Sequence, residues 1–97
     1  MILLALVLAA ENPNMTIFGA GYNSCAKAMM PDHYQASFIW VMGLFSGMNM
    51  EAGANVGMST DGDGIMGEVK MICAREPSLP LWRVAQSIYV KLRTEQR

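Results

Sequence analysis

The chain has 97 residues, of which 53% are hydrophobic and 15% charged. That is enough apolar side chain for one small core, and it excludes a highly charged disordered tail. Seven basic residues against eight acidic ones give a formal charge of −1. With no basic stripe, the chain lacks the electrostatic footprint of a nucleic-acid binder.

Residues 2–10 form an uncharged apolar run that ends in small residues and is broken by Glu11, Asn12, Pro13 and Asn14. Such a run is expected to be the core and cleavage region of a secretory signal, cut after Ala9 or Ala10. It is shorter than the roughly 20 residues that span a bilayer, so no stable membrane insertion is expected. No Lys or Arg precedes it, so the usual cationic start of a signal is missing. The alternative is an N-terminal helix or strand buried in the core. On the signal reading, residues 1–10 are the leader and residues 11–97 a single helical domain, periplasmic or secreted.

The only two cysteines are Cys25 and Cys73. In an oxidising compartment an even number in a short chain is expected to pair. Closing so long a loop is worth roughly 4 kcal/mol by chain entropy. No Cys-x-x-Cys spacing suggests redox chemistry.

Residues 11–23 read as a polar, Gly-rich lead-in. Ser24 is placed to cap a short first helix over Cys25 to Met30. Asp32 is the expected N-cap of a long second helix from about His33 to Met50. Tyr34, Phe38, Val41, Met42 and Phe45 recur at three- and four-residue steps, which marks a buried face. Ile39, Trp40 and Leu44 widen the apolar surface, so burial on more than one side is expected. Gly43 and Gly47, with Ala36 and Ser46 nearby, predict the close approach of another helix.

Residues 51–60 have the composition of a loop. A third helix follows Asp61-Gly-Asp-Gly, with Ile65, Val69, Ile72 and Cys73 on one face, and closes at Arg75, Glu76 and Pro77. A fourth is expected to start near Ser78 with Pro80 in its first turn. Leu81, Val84, Ala85, Ile88, Tyr89 and Leu92 form its core stripe. Arg83, Lys91, Arg93, Glu95 and Arg97 take solvated positions. No strand-like alternation of useful length occurs. The expected fold is all-α: a small orthogonal bundle of four helices, three long and one short, with one disulfide.

Asp61 and Asp63 suggest a calcium loop, but neither EF-hand register works. One puts Lys70 at the twelfth position and the other puts Ile65 at the fifth. A turn followed by an N-cap is the simpler reading. Ten methionines, with Met29-Met30 and Met48-x-Met50, suggest copper(I), although Met also fills irregular cores and adaptable surfaces. His33 is the sole histidine, with no nucleophile or orienting group near it in sequence, and is expected at the surface. Glu51, Glu68 and Glu76 form no acid/base pair. No catalytic residue, metal site or cofactor is therefore assigned, and an enzyme is not expected. Trp40 and Trp82 are expected in the core or at a groove edge, or else exposed as anchors for a protein partner.

The signal-like start, Cys25 in a short helix, the segment Phe38-Ile-Trp-Val-Met-Gly-Leu-Phe-Ser-Gly-Met-Asn49, Asp61-Gly-Asp-Gly-Ile65, Cys73, Pro77 and a last helix ending in Lys91-Leu-Arg93 together resemble small exported bacterial proteins of unassigned function. Their layout is similar to that of the HdeA acid-stress chaperone family and of the amidase-immunity proteins of type VI secretion. The resemblance implies an all-helical periplasmic domain with one disulfide joining helix one to helix three. It also implies a non-catalytic role in binding another protein. An immunity-type inhibitor would use loop 51–60, with Glu51, Asn55 and Met58 beside Trp40 and Trp82 as candidate partner-binding residues. A stress chaperone would expose Met and aromatic surface by dissociation of a homo-oligomer. A copper or calcium carrier is the third alternative.

Overall fold

Four helices follow a single 3-10 turn in the computed structural model, which describes residues 15–97. The signal-like run and residues 11–14 lie outside the described residues. The 3-10 turn spans Gly19–Tyr22. Helix α1 is Cys25–Ala28, α2 is Pro31–Ala52, α3 is Gly62–Arg75 and α4 is Leu81–Thr94. Among the described residues there is no strand, only one isolated bridge between Ser24 and Pro80.

Local chemistry sets the helix ends. The Ser24 hydroxyl accepts from the Lys27 N–H at 3.3 Å, as its position predicts. Helix α1 is shorter than expected, and Met29 and Met30 lie beyond it. Met30, not Asp32, caps α2. Pro31 disfavours helical backbone in the residue before it, so Met30 is extended and Pro31 becomes the first helical residue. Asp32 then lies in the first turn, where a carboxylate suits the dipole.

Helix α2 also runs further than its composition suggests. Glu51 and Ala52 are helical, and Gly53 stops the helix in the left-handed conformation at φ 62°. The connecting loop is therefore 53–61, with Glu51 on the helix. Pro80 caps α4 from outside and is not in its first turn. It is held extended by its bridge to Ser24, which keeps it out of the helix.

Cys25 and Cys73 form a disulfide that joins α1 to α3. Backbone pairing reinforces this joint. Cys25 N–H donates to Leu79 C=O at 2.7 Å, Ala26 N–H to Pro77 C=O at 2.9 Å, and Leu81 N–H to Asn23 C=O at 2.8 Å.

The core lies between α4 and the inner faces of the other helices. All six residues of the α4 stripe are buried, as the periodicity predicts. Ile65, Met66, Val69 and Cys73 meet them from α3, and Val41 and Phe45 from α2. Ile72 is half-buried at the edge. Phe45 and Tyr89 meet edge to face at 5.1 Å between ring centroids, an arrangement their quadrupoles favour. At the surface, Lys91 pairs with Glu68 at 2.9 Å, and the Lys70 ammonium lies 4.7 Å from the centre of the Tyr34 ring.

Among the described residues, helix α2 is covered on its inner and lateral faces and open on its outer one. Ser37, Val41 and Phe45 are buried, whereas Tyr34, Phe38 and Met42 are half-buried. The Ser37 hydroxyl is satisfied by the Ala28 carbonyl at 2.8 Å, with that of His33 at 3.1 Å. The helix approach expected at Gly43 and Gly47 is not made. Among the described residues, nothing beyond the helix's own neighbouring backbone comes within 4 Å of a Cβ built at either position. The 3-10 turn, α3 and α4 all pack against α2 from its inner and lateral sides.

Candidate protein-binding surface

Loop 53–61 is organised by one side chain. Asn49, in the last turns of α2, accepts the Val56 N–H on its Oδ1 at 3.0 Å. Its Nδ2 donates to the Val56 carbonyl at 3.1 Å. One amide thus satisfies both backbone groups of Val56. The Tyr89 hydroxyl donates to the same Oδ1 at 2.8 Å, and its buried ring, packed on Phe45, fixes that donor in place.

The end of the described chain clasps the other side of the loop. Gly57 N–H donates to the Arg97 carbonyl at 2.8 Å. The Ser59 hydroxyl donates to the same oxygen at 3.3 Å. Within the loop, Met58 N–H reaches Asn55 C=O at 3.2 Å and Thr60 N–H reaches Gly57 C=O at 3.1 Å. Asn55 Nδ2 lies 3.4 Å from the Met58 sulfur. These bonds leave Met58 projecting, 76% exposed. Beside it is a cleft of about 270 Å³ lined by Asn55, Val56, Met58, Arg93 and Arg97, among others. Glu51 is exposed on the last turn of α2 and does not line this cleft.

Trp40 and Trp82 come together elsewhere. Both are half-buried and line a small cleft of about 110 Å³ with Met15, Ile17, Leu44 and Gln86. Trp40 is held by its Nε1–H donating to the Phe18 carbonyl at 2.8 Å. Its six-membered ring covers Gly21, where a Cβ would overlap it. The Arg83 guanidinium lies 5.3 Å from the Trp82 ring. The five residues singled out in the sequence therefore fall on separate surfaces. Asn55 and Met58 share the loop cleft, Trp40 and Trp82 share the second cleft, and Glu51 lines neither. Asn49, Tyr89 and Arg97 hold the loop and Arg93 lines its cleft, and the sequence pattern assigns none of the four to a binding site. An Asn among apolar residues near the end of a helix was the available signal.

The other motifs resolve locally. Asp61 caps α3, its Oδ1 accepting from Gly64 N–H at 2.8 Å, as the turn-and-cap reading predicts. Met48 packs against the core while Met50 is exposed, because residues two apart point to opposite sides of a helix. His33 is half-buried, not exposed, in the first turn of α2. Among the described residues no group of three or more His, Cys, Asp or Glu side chains gathers in a way that could hold a metal. No helix among them is long and apolar enough to cross a membrane. Comparison with protein-family models, curated proteins and solved structures finds no match to this chain.

Proposed function

We propose that this chain is an exported, non-catalytic domain that binds another protein through loop 53–61, in the manner of an immunity-type inhibitor in the bacterial periplasm. The observation that carries the reading is the prebuilt loop. Asn49, Tyr89 and Arg97 order its backbone before any partner arrives, so little conformational entropy remains to be lost on binding. Met58 provides an exposed, polarizable knob of the adaptable kind common on binding surfaces. Arg93 adds positive charge at the rim, which suits an acidic group on the partner, while the Arg97 guanidinium is paired with Glu95. The Cys25–Cys73 bond supports export, since disulfides persist in oxidising compartments.

Two measurements test this reading. Protein exported from a bacterial host should contain no free thiol and should lack residues 2–10 by intact mass. Immobilised wild-type protein should then retain one partner from periplasmic extract in stoichiometric amount, and Met58→Asp should lose it. Retention by Met58→Asp as strong as by wild type would refute the loop assignment. A stress chaperone is the second reading, favoured by the exposure of Phe18, Tyr22 and Met50. It predicts that the protein suppresses aggregation of unrelated clients and that Met58→Asp leaves this intact.

A further inference from the structure

Among the described residues, nothing packs on the outer face of α2. Ala36, Ile39, Gly43, Ser46 and Met50 follow one another at steps of three and four residues, and all are exposed. This is the spacing of a seam at which two helices pack. Gly47 lies beside it. No charged residue stands between Asp32 and Glu51. Ile39 is 61% exposed and Met50 83%, while Gly43 and Gly47 have open space where a side chain would be.

We infer that this face is the interface of a two-fold homodimer, in which two copies of α2 pack antiparallel and cross at Gly43. The sequence of the face is complementary to itself in that register alone among its neighbours. With Gly43 on the axis, each Met50 lies over Ala36 of the mate. Each Ile39 enters the space beside Ser46 and Gly47. Every large side chain meets a small one, and both halves of the contact do so by the same substitution pattern. A shift of one turn would set each Ile39 against Gly43 of the mate but would place each Met50 against the Asp32 carboxylate in the mate's first turn. An isologous contact of this kind closes on itself and does not propagate.

The available area supports a second copy as the occupant. Phe18 and Tyr22 are 81% and 75% exposed on a turn that is fastened to Trp40, which borders the seam on α2. Trp40 stands about one helical turn from the proposed axis, so a two-fold brings both turns to the same edge of the seam. These two aromatics with Ile39 and Met50 expose roughly 600 Å² per copy. The small residues of the seam raise this toward the roughly 800 Å² per partner of a standard interface. The proposal does not rest on the loop reading, because it uses a different face.

Sedimentation equilibrium of the oxidised protein tests it, with three variants. Wild type should show a monomer–dimer equilibrium. Gly43→Leu should weaken dimerisation at least tenfold while raising the melting temperature of the dilute monomer, because the site is open and glycine is the poorer helix former. Gly43→Cys should cross-link to itself on oxidation, since the two copies of that position meet at the axis within disulfide reach. Asp32→Cys should not, because its two copies would lie roughly 30 Å apart. Wild type that stays monomeric at every concentration overturns the inference. So does a dimer that Gly43→Leu leaves intact, or one in which Asp32→Cys cross-links and Gly43→Cys does not.

Discussion

The disulfide joint and the loop clasp are two ends of the same bundle, and they are held by different means. At the joint, a covalent bond between α1 and α3 is backed by three backbone hydrogen bonds between residues 23–26 and 77–81. At the clasp, one amide side chain, one phenol and one C-terminal carbonyl fix nine residues of irregular chain. The joint constrains every unfolded conformation of the chain, so its loss is felt by the whole domain. The clasp acts only in the folded state. A domain can therefore keep its fold while its loop loosens, and the difference separates stability from binding.

Reducing the disulfide is the largest perturbation. The 48-residue separation makes the chain-entropy contribution about 4 kcal/mol. In a domain of this size that corresponds to a melting temperature lower by about 20 °C. Calorimetry with and without reductant measures it, and Cys25→Ser with Cys73→Ser should match the reduced protein. A shift of only a few degrees would mean that the backbone pairing at residues 23–26 holds the joint without the covalent bond.

Asn49→Ala comes next. It removes the partners of both Val56 backbone groups and of the buried Tyr89 hydroxyl, at a cost of about 2 kcal/mol. The sharper readout is hydrogen exchange. Protection of the Val56 and Gly57 amides should fall well below that of α4, while the α4 amides fall only with global stability. Asn49→Asp keeps the acceptor for Val56 N–H and for Tyr89 but loses the donor to the Val56 carbonyl. It should loosen the loop less than Asn49→Ala does. Equal loss of protection in loop and helix would show that the two ends are one cooperative unit.

How much of this was legible in the sequence depends on how local the cause is. The α4 stripe, the Ser24 and Asp61 caps and the cysteine pair are set by residues close in sequence or by there being only two cysteines, and each stands as read. The ends of α2 depended on finer chemistry. Pro31 acts on the residue before it, and Gly53 outweighs the loop-like composition of Glu51 and Ala52. The Asn49–Val56–Tyr89 network joins positions up to 40 residues apart, and no periodicity encodes it. The small residues of α2 predict the close approach of another helix. Their spacing specifies a packing surface but does not say which molecule supplies the other side.

Ser37→Ala is a smaller test, at the joint. The buried hydroxyl links α2 to the Ala28 carbonyl at the end of α1. Its removal leaves that carbonyl without its side-chain donor and should cost about 1 kcal/mol. Urea unfolding with the disulfide intact measures this, and the same change in reduced protein should cost no more if the two ties act independently.

The smallest effect on stability is expected from Met58→Ala, and it divides the two ends most cleanly. Met58 is exposed, and its truncation removes the contact of its sulfur with Asn55 and no buried packing. The unfolding free energy should change by less than about 0.5 kcal/mol. Binding behaves differently if the loop is the contact surface. An apolar knob buried at the centre of an interface is commonly worth about 2 kcal/mol, a loss of roughly 30-fold in affinity. Titration calorimetry against the captured partner reads that loss directly. The disulfide variants, assayed below their melting temperature, should bind nearly as well as wild type, because the joint does not touch the partner. If those variants lose binding and Met58→Ala keeps it, the recognition surface belongs at the joint and the clasp serves only to close the end of α2.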